Sequence, residues 1–378
     1  MIKYLGSKRR LVPVLGDICA RANARRALDL FTGTTRVAQE FKRRGAEVTA
    51  VDTARYSDVF AQCYIALDGQ VIDRSEIVEA LRDLAARPGV DGYVTNTFCS
   101  QSRYFQPHNG RRIDAMRDAI ERDYRDTWLY PVLLTSLIEA ADRVDSTTGL
   151  QMAYVKQWAP RSFRPIELRV PDLLPGRGRA ARADAREAVA GLGAFDLAYL
   201  DPPYNQHRYF TNYHIWETLV AWDAPEHYGV ACKRVDARDD PATKSVFNHR
   251  RSMPGALADV IGAVDAELVL VSYNNESWVS IDELQAMCAD RGADVCTLAF
   301  DSRRYVGAQI GIHNPQGEKV GSVSHLHNVE YVVCAGDRAL LDRVTEGPGA
   351  LASHAHGGHP HVARGRARAS TRAARRDR

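Results

Sequence analysis

The chain has 378 residues, 45% of them apolar, enough to bury a large core and to make about two domains. No apolar run approaches the roughly 20 residues that a membrane helix needs, and the first ten residues, Met1 to Arg10, lack the apolar centre of a signal peptide. The net charge of +3 is too mild to indicate a nucleic-acid partner, and the seven scattered cysteines show no metal-ligand spacing, so they read as reduced thiols in a cytoplasmic protein.

In chain order, Arg26–Phe31 is the first buried strand expected. The small-residue turn Thr32-Gly33-Thr34-Thr35 follows it, then helical spacing over Arg36–Arg44 and a second strand, Glu47–Asp52. This is a βαβ unit with a ligand-binding turn and an acid about 20 residues after it, as expected where a carboxylate holds a ribose diol. The turn carries fewer glycines than the dinucleotide fingerprint and suits a ligand without a pyrophosphate, such as S-adenosylmethionine.

From Thr53 to Pro165 the α/β rhythm is lost. Helical patterns fall at Ser75–Ala86, Ile113–Tyr124 and Pro131–Val144, around a polar, aromatic stretch, Phe98–Arg112. This reads as an inserted, mostly helical domain. The α/β pattern then resumes with strands at Phe195–Leu200, Glu267–Tyr273, Val295–Phe300 and Val329–Cys334 and a helix at Ile281–Arg291. The expected division is a discontinuous sheet domain (1–53 and 166–345), the insertion (54–165) and a tail (346–378) rich in Gly, His, Ala and Arg. That tail cannot bury a core and is expected to be disordered, adding nonspecific affinity for DNA.

The strand Phe195–Leu200 runs into Asp201-Pro202-Pro203-Tyr204. Proline cannot donate to a ladder, so the sheet stops there. The stop leaves a carboxylate, freed carbonyls and an aromatic ring at the carboxyl end of a strand, where open α/β sheets bind ligands. A carboxylate and a carbonyl together accept both hydrogens of an exocyclic amine, and a ring stacks on the heterocycle that bears it. Basic clusters at Lys8–Arg10, Arg111-Arg112, Arg161–Arg169 and Arg177–Arg186 would attract phosphates if they share a surface.

Four elements stand in one order: Lys3-Tyr4-Leu5-Gly6-Ser7-Lys8-Arg9, Asp29-Leu30-Phe31-Thr32-Gly33, Asp52, and Asp201-Pro202-Pro203-Tyr204 after the insertion. The chain thereby resembles the Dam-like, alpha-group DNA adenine methyltransferases of restriction–modification systems. Asn109–Ala115, Asn212–Leu219 and Ser272–Glu276 are similar to stretches of the same family. The resemblance implies a doubly wound, Rossmann-like class I methyltransferase sheet with an inserted target-recognition domain. It implies transfer of a methyl group from S-adenosylmethionine, without a metal, to the amine of adenine in double-stranded DNA.

By the same resemblance, Tyr4 and Lys8 close over the cofactor, Asp29, Phe31 and Gly33 line its methionine and ribose pocket, Asp52 holds the ribose hydroxyls, and Asp184 contacts its adenine. Thr34-Thr35 stands where relatives often carry smaller residues. Asp201, Pro202, Pro203 and Tyr204 are the expected catalytic residues. Arg103, Asn109, Arg111, Arg112, Lys156 and Arg161 have side chains that read base edges or grip phosphate, and Asn205 and Tyr213 would order a loop over the flipped base. A separate restriction endonuclease is the implied partner. RNA adenine or a protein glutamine as acceptor, or a non-catalytic DNA-binding regulator on the same fold, are the alternatives.

Overall fold

The computed structural model describes residues 2–4, 8–203, 206, 208–303, 327–345 and 361–363. Its centre is a sheet of β1 (Arg26–Asp29), β2 (Glu47–Asp52), β3 (Gly178–Arg182), β4 (Phe195–Leu200), β7 (Ala266–Asn274), β8 (Asp294–Arg303), β9 (His327–Gly336) and β10 (His361–Ala363). A separate hairpin joins β5 (His227–Tyr228) to β6 (Lys233–Arg234). The eight strands lie in the order β10-β8-β9-β7-β4-β1-β2-β3. The pairs β2–β3, β1–β2, β1–β4 and β4–β7 are parallel, while β9 runs antiparallel to both β7 and β8. This is the expected doubly wound, Rossmann-like arrangement.

The central strands are apolar on both sides because helices cover both faces. Leu197, Tyr199, Leu268 and Leu270 face a core shared with Leu15, Ile18 and Phe41 of the helices Val12–Arg21 and Arg36–Arg43. Ala198, Leu200, Val269 and Val271 face a second core with Leu257, Val260 and Leu284 of the helices Met253–Ala263 and Ile281–Ala289. The order reverses between β1, which leads outward to β2 and β3, and β4, which leads the other way. Such a switch point opens a crevice at the carboxyl ends of the two strands. Asp29 and Asp201 stand at those two ends.

Residues 54–165, the expected insertion, carry the helices Arg74–Ala86, Pro107–Tyr124 and Leu129–Val144, with π-helical turns at Gln62–Ala66 and Val94–Gln101. Ile77, Phe98, Ile113, Met116 and Leu133 belong to the same buried cluster as Leu15 and Tyr199, so the core runs continuously from the sheet into the insertion. Gly110 lies inside a helix because that turn presses on the π-helical segment. A Cβ there would collide with Cys99 Sγ. All seven cysteines are buried free thiols.

The expected disordered tail contains one described piece, β10, whose His361 pairs opposite Ala299 of β8. An added edge strand needs only backbone partners, which composition does not disclose. The rest of the tail lies outside the described residues, and no described helix is long and apolar enough to cross a membrane.

Candidate active site

The turn after β1 is held by two carboxylates. Asp29 Oδ2 accepts hydrogen bonds from Thr32 Oγ1 at 3.0 Å and from the Ala38 amide at 3.1 Å. Asp52, at the end of β2, accepts from the Gly33 amide at 2.8 Å and the Ala54 amide at 3.0 Å. Gly33 has φ +50, and a Cβ there would sit 3.1 Å from Tyr4 Oη, so the turn requires glycine. The adjacent threonines are accommodated. Thr35 adopts a left-handed φ of 61, donates its amide to Thr32 O at 2.7 Å, and accepts from Gln39 Nε2 at 2.9 Å.

The amino-terminal segment folds over this turn. The Tyr4 ring stacks on Tyr213 (centroids 4.7 Å apart, 13° between planes) and on Tyr209 (5.4 Å, 21°), and meets Tyr56 edge-on. Lys8 Nζ lies 3.1 Å from Asp201 Oδ1. Lys3 pairs with Asp142 at 3.0 Å and Asp145 at 3.1 Å, which ties the segment to the insertion.

Together these residues enclose a cavity of about 510 Å3, within the usual range for small-molecule sites. Tyr4, Lys8, Asp29, Phe31, Gly33, Asp52, Asp184, Asp201 and Pro203 all line it. The structure thus brings together every described residue expected to bind the cofactor, with Asp201 and Pro203 of the expected catalytic turn. Pro202 is buried beside Asp201, and Tyr204 and Asn205 lie outside the described residues.

The site is lined by acids. Burial pushes Asp29 up to about 7 despite the Thr32 hydrogen bond, and pushes Asp201 up to about 6 despite the opposing Lys8 charge. Asp52 is raised by burial as well. Asp29 Oδ1 is buried without a hydrogen-bond partner among the described residues. An orphaned acceptor beside two more carboxylates suits a ligand that brings donors and positive charge, and Phe31 and Phe247 supply apolar walls. S-adenosylmethionine, with its sulfonium, amine and ribose hydroxyls, fits that set.

Two features carried no sequence signal. Phe247 packs edge-on against Phe31 with centroids 5.1 Å apart, yet it is one ring in a polar stretch. Glu217, buried to 1%, accepts from the Arg55 amide at 2.8 Å and pairs with its guanidinium at 3.5 Å, fixing the strand-end segment that follows Asp52. The run Asn212–Leu219 contained Glu217 but not its partner.

The expected DNA-facing residues scatter. Arg111 is exposed and paired with Asp91 at 2.7 Å, and Arg112 donates to the carbonyls of Ala85 and Arg87 at the end of the helix Arg74–Ala86. Arg103 donates to Lys156 O at 2.7 Å and lies over the Trp158 ring at 4.8 Å, Lys156 itself being exposed. Arg161 pairs with Asp145 at 2.7 Å. One residue is corrected by burial. Asn109 is fully buried, with its amide donating to Ser162 O (3.1 Å) and Arg164 O (2.9 Å) and accepting from the Ile166 amide (2.9 Å), so it has nothing left to offer a base. Tyr213 is 1% exposed and stacks on the Tyr4 ring.

Comparison with known proteins agrees with this geometry. The family model for D12 class N6 adenine-specific DNA methyltransferases matches residues 4–287. The chain is 28% identical to Type II methyltransferase M.NlaIII of Neisseria lactamica, over 75% of this chain and 86% of that protein. It is 28% identical to Type II methyltransferase M.CviAII of Paramecium bursaria Chlorella virus 1, over 82% of this chain and 94% of that protein. With modification methylase StsI of Streptococcus sanguinis it shares 28% identity over 78% of its own length, but spans only 47% of that relative. A cavity at the switch point, closed by Tyr4 and Lys8 and ending in Asp201, together with a family match over most of its length, shows that the chain belongs to the D12 class N6 adenine-specific DNA methyltransferases.

Proposed function

We propose that the chain methylates the exocyclic 6-amino group of an adenine flipped out of a short sequence in double-stranded DNA, using S-adenosylmethionine and leaving S-adenosylhomocysteine, as the modification arm of a restriction–modification system. The observation that carries this reading is that Asp201 opens onto the same cavity as Asp29, Gly33 and Asp52. One carboxylate stands ready for a second substrate at the wall of a cofactor-sized space.

The donor brings a methyl group already activated on a positive sulfur. The protein's own task is therefore placement. Asp52, whose carboxylate already holds the Gly33 and Ala54 amides, presents its remaining acceptor capacity to the ribose diol. Asp29 offers its orphaned oxygen to the methionine end, and Asp184 borders the adenine end. Tyr4, stacked on Tyr209 and Tyr213, and Lys8 close the mouth.

The target amine is a weak nucleophile because its lone pair is delocalised into the ring, and within a duplex it is paired. The base must leave the stack, at a cost of a few kcal/mol. Asp201 and the Pro202 carbonyl then accept the two amine hydrogens, which draws the nitrogen towards tetrahedral geometry. Tyr204 stacks on the extruded base, a contact worth roughly 1–3 kcal/mol. Asp201 needs to be ionised but not strongly basic, since the nitrogen sheds its extra proton after transfer. Residues 54–165 serve target recognition in this reading, and a separate endonuclease is the cognate partner.

The test is Asp201→Ala. Calorimetry should show S-adenosylmethionine still bound while DNA methylation is lost. A variant that retains near-normal turnover removes Asp201 from the chemistry.

A further inference from the structure

We propose that Phe163 is a wedge that enters the duplex and fills the place vacated by the flipped adenine. This rests on the DNA reading above. Isolated exposed apolar side chains are ordinary. Phe163 differs from the rest in identity, rigidity and setting. Seven large apolar residues are exposed among the described residues, and Phe163, at 60%, is the only aromatic one.

The ring is held out by a braced turn. Phe163 ends the 3-10 turn Pro160–Phe163. Asn109 grips both of its neighbours, donating to the carbonyls of Ser162 and Arg164, and it also accepts from the Ile166 amide. Ser162 is fully buried, and the Arg161 guanidinium is anchored on Asp145 at 2.7 Å. A chain that merely tolerated a surface phenylalanine would have no need to immobilise the backbone on either side with a buried amide. Immobilising it removes the ordering cost at the moment of insertion.

Shared partners link the turn to the segment that closes the cavity. Asp145 holds Arg161 and, at 3.1 Å, Lys3, which is one residue from Tyr4. Gln151 is tied to the segment after the catalytic turn, donating its amide to Asn212 O at 2.9 Å and accepting from the Ile215 amide at 2.8 Å. The flanking charge suits a phosphate backbone, since Lys156 and Arg164 are both exposed. Apolar wedges inserted between base steps are a recognised way for proteins to hold a distorted duplex. A ring stacked in the gap would keep the extruded base from returning.

The experiment is single-turnover methylation of two duplexes, one with the target adenine paired to thymine and one with it opposite a non-pairing base, for wild type, Phe163→Ala and Phe163→Trp. Loss of one stacked ring should slow the paired duplex about 10-fold in Phe163→Ala. The mismatched duplex, whose adenine leaves the stack cheaply, should be methylated at near the wild-type rate, and Phe163→Trp should restore the paired duplex. Cofactor affinity and melting temperature should not move. An unaffected paired duplex, or an equal loss on both, overturns the wedge. A wild-type protein that methylates neither duplex defeats the functional reading itself, a separate outcome.

Discussion

The ammonium of Lys8 and the carboxylate of Asp201 stand 3.1 Å apart, joining the amino-terminal segment to the end of β4. Neither partner is freely solvated, since their side chains are 6% and 19% exposed. The pair bears on the charge state of Asp201, the acid proposed to receive the target amine. Burial raises Asp201 to about 6, and the Lys8 charge is the largest influence holding it down.

Methylation should therefore fall as pH drops through about 6, where Asp201 takes up a proton. In Lys8→Met the restraint is gone, and the acid limb of kcat should move to higher pH by about one unit or more. Rates at saturating S-adenosylmethionine across pH 5 to 9 would read it. An acid limb in the same place would dissociate Lys8 from the state of Asp201.

Stability should also depend on pH through two other carboxyls. Burial pushes both Asp29 and Glu217 up to about 7 in the folded chain. Between their ordinary values and about 7 the folded state binds more protons than the unfolded one, so stability falls as pH rises through that window. The ligand-free protein should melt at a higher temperature at pH 6 than at pH 8 on account of these groups. The slope should flatten in Glu217→Gln. A slope unchanged in that variant would exclude the Glu217 contribution.

Asp52→Asn tests the ribose contact. The amide can still accept from Gly33 but loses the charge and half the acceptor capacity. S-adenosylmethionine affinity should weaken about 10-fold, as for loss of a charged hydrogen bond, while turnover at saturating cofactor changes less. Calorimetry gives the affinity directly, and an unchanged dissociation constant would take Asp52 out of the cofactor site.

Asn109→Ala should destabilise the fold by about 1–3 kcal/mol, because the carbonyls of Ser162 and Arg164 and the Ile166 amide lose their partner together. Urea unfolding measures this, and the pattern of methylated sites should be unchanged. A shifted site preference with full stability would return Asn109 to base reading.

Much of the sheet was legible because its strands are short, doubly buried runs. Glu47–Asp52 and Phe195–Leu200 appear with the ends their composition suggests. β3 was not, for Gly-Arg-Ala-Ala-Arg has no β-branched residue and forms an edge strand with half-exposed side chains. Pro107–Tyr124 begins six residues before its apolar spacing does. Pro107 supplies a first-turn residue, and Gly110 is kept for its contact with Cys99. In the site, the acids at strand ends announced themselves through position. Phe247 and the Arg55–Glu217 pair did not, because both depend on loops and helices distant in sequence coming together. Asn109 misled because an amide suited to a base edge suits three backbone groups equally well.

The most direct measurement is methyl transfer from labelled S-adenosylmethionine to unmethylated genomic DNA by the wild type and by Asp201→Ala, with the modified bases mapped. The account predicts 6-methyladenine in one short sequence context for the wild type, and none for the variant although it still binds the cofactor. Label appearing on RNA or protein but not on DNA, or adenine methylation that survives in Asp201→Ala, would contradict it.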